Sequence, residues 1–150
     1  MLVYHGTHEP EAIRRDGFRL PDRYCHDTLG RGIYTSTSYE EAAKHGTVLE
    51  CWLDTAQYAV VPNPYFMNAW GWELERHTEA EALFYELAFC DGKMLTVEGD
   101  CLARLRTAKR IQEAMLSVGY AGLITEYRGT CVAYDLGTIS LYSSMELLQA

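Results

Sequence analysis

Three side chains stand where they could do chemistry on a bound small molecule. They are His5 in Tyr4-His5-Gly6-Thr7, Tyr34 in Gly30-Arg31-Gly32-Ile33-Tyr34-Thr35-Ser36, and Glu126, shortly before Gly129-Thr130-Cys131-Val132-Ala133-Tyr134-Asp135. A histidine at a strand end can offer one ring nitrogen to a ligand while the protein fixes the other. A neighbouring glycine lets a ligand approach the main chain closely. A tyrosine face attracts a cationic ring by about 0.5–2 kcal/mol, and a carboxylate stabilises positive charge that develops in a transition state. Taken singly, each has a plainer explanation: a strand-end histidine satisfied by backbone, a buried strand aromatic, a solvated turn carboxylate. Their order along the chain sets them apart.

Such residues need elements to hold them. Residues 2–5 read as a short strand, 9–15 as a helix closed by Asp16-Gly17, and 19–31 as a loop. Residues 32–36 are strand-like. Ser38-Tyr39-Glu40-Glu41 is a capping-box pattern that opens a helix through Lys44, and Gly46 ends it before a strand over 47–53. The irregular stretch at Pro62-Asn63-Pro64 carries Tyr65, Phe66, Trp70 and Trp72, either a partner surface or core packing. Helices are expected over 73–89 and 102–118. The second is striped by Leu105, Ile111, Met115, Leu116 and Val118 and stopped by Gly119. Short strands follow over 122–125, 130–134 and 138–142, with turns at Arg128-Gly129 and 135–137. Strands at both ends with helices between them predict an α+β fold, one domain over 1–150, with terminal strands pairing around a cleft.

Bulk properties narrow the function classes. With 150 residues, 48% of them apolar, the chain can bury the core of one ordinary domain. No apolar run reaches the ~18 residues of a membrane span, and the start lacks a basic segment followed by a long apolar one. A soluble protein with neither signal peptide nor membrane partner is expected. The five cysteines are odd in number and scattered, without a Cys-x-x-Cys pair. Reduced thiols in a cytoplasm and no metal are expected from that pattern. A formal charge of −8 argues against loose nucleic-acid binding, which depends on Lys and Arg releasing counterions from phosphates. Locally, Arg14, Arg15, Arg19, Arg23 and Arg31 form a basic group suited to phosphates. A second group, Arg104, Arg106, Lys109 and Arg110, reads as a solvated helix face.

In their order, with a helix after each of the first two, the His-Gly-Thr, Gly-x-Gly-Ile-Tyr and Tyr-Asp-terminated segments resemble the diphtheria-toxin and poly(ADP-ribose) polymerase branch of ADP-ribosyltransferases. The resemblance covers nearly the whole chain. It is densest over 4–46, which includes Ala42-Ala43, whereas 52–121 matches no segment that can be named. It implies an ADP-ribosyltransferase-like fold, with central strands around an NAD+ cleft and helices packed outside, and NAD+ as co-substrate. It further implies that His5 bonds a ribose hydroxyl, that the Gly6 main chain pairs with the carboxamide, and that Tyr34 stacks on the nicotinamide ring. Thr7, Gly32, Ser36 and Thr130 join the binding set. Relatives carry a second aromatic eleven residues after the tyrosine; here that position is His45, and Tyr39 is the alternative.

The departure from the family pattern is a missing glutamate. Transferring relatives usually carry Glu on the strand that ends in Tyr-Asp, and alignment on Tyr134-Asp135 puts Thr130 there. Breaking the N-glycosidic bond builds oxocarbenium charge that a carboxylate stabilises and a threonine cannot. Glu126 is the nearest carboxylate in sequence. Small phage anti-CRISPR ADP-ribosyltransferases are similar here, with an acidic residue just before a Gly-small-Cys strand. Asp135, which reads as a turn residue, is a weaker candidate. The implied activity is mono-ADP-ribosyl transfer to a macromolecular acceptor, protein favoured over nucleic acid, in a toxin or phage effector. NAD+ glycohydrolysis and non-catalytic NAD+ or ADP-ribose binding stay open as alternatives. RNA 2′-phosphotransfer is disfavoured by the acidic balance.

Overall fold

Thr47–Leu53 alternates as a half-buried strand must: Leu49, Cys51 and Leu53 are buried while the residues between them face outward. The same period recurs through a computed structural model that describes residues 1–22, 27–65 and 78–142. In chain order the described elements are β1 (Leu2–Thr7), α1 (Pro10–Asp16), β2 (Ile33–Ser36), α2 (Tyr39–Ala43), β3 (Thr47–Leu53) and β4 (Tyr58–Val60). They continue with α3 (Glu79–Ala88), β5 (Phe89–Cys90), β6 (Lys93–Met94), α4 (Cys101–Val118), β7 (Gly122–Ile124), β8 (Thr130–Ala133) and β9 (Ile139–Leu141). The fold is α+β. Seven strands form one mixed sheet in the order β4-β7-β8-β2-β1-β3-β9, in which only β4 and β7 run parallel.

Strand alternation divides the core between the two faces of this sheet. One face carries Val3, Ile33, Leu49, Cys51, Leu53, Cys131 and Ala133, with Ile13 and Phe18 packed against it. The other carries Leu123, Val132 and Tyr134, covered by Phe84 and Ala88 of α3 and by Ile111 and Met115 of α4. The sheet also curls. Tyr58 in the edge strand β4 shares a 2.8 Å hydroxyl hydrogen bond with Thr138, the residue leading into the opposite edge strand β9. The first face is therefore concave and closed on itself.

Differences from the sequence reading have local causes. Helix α3 begins at Glu79 because Thr78 and Glu81 form a reciprocal capping box; residues 73–77 of the expected helix, together with Phe66, Trp70, Trp72, Cys25 and Arg23, lie outside the described residues. At α2 only half of the expected box forms. Ser38 accepts from the Glu41 N–H, while the Glu41 carboxylate turns to Lys44 at 2.8 Å. In α4, Leu105, Ala108, Ile111, Gln112 and Met115 make the buried stripe, while Leu116 and Val118 point outward. Gln112 is buried in the expected apolar face because its Nε2 donates to the Tyr134 carbonyl at 3.1 Å. Strands β4, β5 and β6 carry no sequence expectation, being too short for alternation to register. Among the described residues, no helix is long and apolar enough to cross a membrane.

Candidate functional site

The site is built where two central strands part. Strand β1 pairs with β3 along its whole length, from Leu2↔Trp52 to Thr7↔Thr47. Against β2 it makes the single pair Tyr4↔Ser36. Met1 and Leu53 exchange both backbone bonds, Met1 N to Leu53 O at 3.0 Å and Leu53 N to Met1 O at 2.9 Å. Counting along β1 from that pair, alternate residues offer their N–H and C=O to β3, and the residues between, Leu2, Tyr4 and Gly6, offer theirs to β2. The Gly6 N–H and C=O therefore face β2 just beyond the end of the ladder. Tyr34, which would be its next partner, has its carbonyl taken by a side chain instead: His5 Nδ1 donates to Tyr34 O at 2.7 Å.

That bond sets the His5 tautomer, with the proton on Nδ1 and Nε2 left as an acceptor. The ring is half-buried and packs edge-on against Phe18, with centroids 5.5 Å apart. Burial pulls its pKa below the usual histidine range and nearby His45 pulls the same way, while the bond to Tyr34 opposes them. The imidazole is neutral at physiological pH.

Tyr34 is gripped at its far end. Its hydroxyl donates to Gly30 O at 2.7 Å and accepts from Leu29 N at 2.8 Å, and burial lifts its pKa well above the ordinary tyrosine value. The loop that grips it is itself pinned: Tyr134 donates to Leu29 O, Thr96 to Thr28 O at 2.8 Å, and Arg31 N to Ala108 O at 2.9 Å. Gly30 has φ +110°, and a Cβ there would run into Tyr134 and Ile111. The ring thus stands with its hydroxyl end fixed.

The other expected residues divide between the two faces. Tyr34 and Ser36 lie on the α2 side with Thr130, the direct partner of Ser36 and diagonal neighbour of Tyr34. Gly6 faces the same side, where a Cβ would collide with the Ala42 carbonyl and touch His45 Cβ at 3.0 Å. Glycine is needed there for the close seat of α2. His45 stands beside Gly6, and Tyr39, 56% exposed, packs edge-on against Tyr4 at 5.6 Å. The His5 ring goes to the opposite face with Val3 and Phe18. Ser36 spends its proton on Arg128 O at 2.7 Å, and Thr7 Oγ1 accepts the Glu9 N–H at 3.0 Å ahead of α1. Gly32 fits against β8, where a Cβ would meet Ala133 O at 2.6 Å.

Glu126 lies in the turn between β7 and β8, its backbone N–H held by Pro62 O at 2.9 Å and its side chain exposed. Gly129 of that turn accepts from Thr37 N at 3.0 Å, three residues or about 10 Å beyond Tyr34 along the strand direction. Glu126 itself follows β7, which β8 separates from β2, so the turn meets the end of β2 through Gly129 rather than through Glu126. Of the first basic group, Arg14 pairs with Glu11, Arg15 and Arg19 with Asp16, and Arg31 with Asp22.

No protein-family model, curated protein or solved structure matches this chain. Its chemistry is therefore read from the site itself. Among the described residues no group of His, Cys, Asp and Glu is arranged to hold a metal. The gap instead offers a backbone donor and acceptor on Gly6, an acceptor on His5 and an aromatic wall at Tyr34. One residue escaped sequence reasoning: Asp27, 4% exposed, whose Oδ2 has no hydrogen-bond partner among the described residues. In Asp27-Thr28-Leu29-Gly30 it looks like an ordinary turn aspartate, and nothing in the sequence signals its burial.

Proposed function

We propose that this chain is an NAD+-dependent mono-ADP-ribosyltransferase with an ADP-ribosyltransferase-like fold. The observation that carries the reading is the parted β1–β2 ladder, with Gly6 N–H and C=O turned into the gap that His5 bridges. A primary carboxamide is complementary to those two groups, its carbonyl accepting from the N–H and its amide donating to the C=O. The nicotinamide ring then lies against Tyr34, and its positive charge gains from the aromatic face. His5 Nε2 accepts a ribose hydroxyl on the other side of the gap, so the riboside threads between the two strands.

Cleavage breaks the bond between the ribose C1′ and the nicotinamide nitrogen, and neutral nicotinamide departs with the electron pair. Glu126 supplies negative charge for the oxocarbenium ion, and an acceptor nucleophile completes the transfer. A protein acceptor suits the acidic chain better than a nucleic acid. Incubation of purified protein with isotopically labelled NAD+ and a cell lysate, read by mass spectrometry, tests this: labelled macromolecules are expected. Free ADP-ribose without a labelled macromolecule makes the protein a glycohydrolase. A second reading, NAD+ binding without cleavage, is favoured by uncharged Thr130 diagonal to Tyr34 and by the exposure of Glu126. Binding with no nicotinamide release would select it.

A further inference from the structure

Asp27 is a buried carboxyl that the mechanism above does not use. Burying a charge without a partner costs several kcal/mol, roughly as much as a folded domain can spare, so an orphan of this kind requires an explanation. The neighbouring donors are committed elsewhere. Arg31, whose charge reaches Asp27, gives Nε–H to Pro21 O at 2.7 Å and sets its guanidinium 3.6 Å from Asp22. The hydroxyls of Tyr34 and Tyr134 each have one proton, and these go to Gly30 O and Leu29 O. Asp27 begins the turn closed by Gly30 N to Asp27 O at 3.2 Å, the same turn that grips the Tyr34 hydroxyl. Its charge is felt at Tyr34.

We infer that Asp27 is a specificity-determining residue: the counter-charge that makes the Tyr34 pocket take a cationic heteroaromatic ring, oxidised nicotinamide, in preference to the neutral reduced ring. The inference rests on the NAD+ reading of the site. Arg31 lends Asp27 some positive charge but leaves its Oδ2 without a hydrogen bond; a pyridinium against Tyr34 brings a second positive charge, and the apolar surroundings of Leu29 and Tyr134 strengthen the attraction. Dihydronicotinamide brings no charge and leaves the carboxyl as it was. Burial, opposed by Arg31, pushes Asp27 up to about 7, so in the free protein it keeps its proton through mildly acidic pH. Cation uptake displaces that proton. NAD+ affinity therefore rises with pH up to about 7 and then levels, without a matching rise for NADH.

Among the described residues, the titratable groups around Asp27 and Tyr34 are Arg31, Tyr65 and Tyr134. His5 and His45 stand farther along the gap. Calorimetric titration of wild type and Asp27→Asn with NAD+ and with NADH, between about pH 5 and about pH 8, isolates the carboxyl. The expected wild-type NAD+/NADH affinity ratio climbs about tenfold or more across that range, the effect of one opposite charge close by. In Asp27→Asn the ratio is flat and low. A flat wild-type ratio overturns the inference, as does a rise that survives in Asp27→Asn; both leave NAD+ binding standing. Failure of the wild type to bind either dinucleotide overturns this inference and the NAD+ reading together. The wild-type pH series needs no variant, and a circular-dichroism melt shows whether the near-isosteric amide is folded.

Discussion

A tyrosine whose hydroxyl is held at both its donor and its acceptor can present only its ring to a ligand. Tyr34 is such a residue, and its two attachments separate anchoring from recognition. Tyr34→Phe leaves Leu29 N–H and Gly30 C=O without their partner and is expected to cost about 1–3 kcal/mol in urea unfolding. NAD+ affinity should fall far less than in Tyr34→Ala, because the aromatic face survives. Equal losses in both would remove ring stacking from the account. For Glu126→Gln, if the carboxylate acts in the transition state, nicotinamide release drops by ~100-fold or more while NAD+ affinity is nearly unchanged. Unaltered turnover would take Glu126 out of the site. His5, Gly6 and Tyr34 entered as candidates through the family resemblance, and the structure brings them together where β1 parts from β2. Asp27 was not legible in the sequence, since its meaning lies in burial and in donors committed elsewhere, neither of which a turn motif reveals.

Helix α2 acts at the scale of an element, seated on the strand that forms one wall of the gap. Its last turn lies so close to β1 that Gly6 has no room for a side chain. Gly6→Ala should therefore destabilise the fold by about 3 kcal/mol or more, the cost of forced overpacking against backbone. A melting temperature equal to wild type would contradict this packing. Most elements could be read from periodicity and caps: Ser38 and Gly119 mark helix ends where expected, and β3 alternates cleanly. Strand β4 could not, because its three residues acquire meaning only through parallel pairing with distant Gly122–Ile124. Nor could the parting of β1 from β2, which depends on which neighbour each strand residue addresses.

Across the molecule, buried Asp27 and half-buried His5 pull stability in opposite directions with pH. Asp27 has a folded pKa raised above its unfolded value, so between about 4 and about 7 the folded state holds a proton that the unfolded state has released, and stability falls as pH rises. His5 is depressed, so protonation of the unfolded state removes stability as pH falls through the ordinary histidine range. Asp27→Asn abolishes the first effect and should stabilise the protein at pH 8 by roughly 2–4 kcal/mol, with little change near pH 4. Equal stabilisation at both pH values would mean that the carboxyl is not the cause. The α+β class and the strands at both chain ends were foreseeable; the curl that ties β4 to β9 through Tyr58 and Thr138 was not, because it joins residues far apart in sequence. The central claim, that NAD+ is held and cleaved where β1 parts from β2, is tested most directly by the rate of nicotinamide release from NAD+ by wild type, His5→Ala and Tyr34→Ala. The account predicts measurable release by wild type and strong loss in both variants. No release by folded wild type, or release undiminished in the variants, would contradict it.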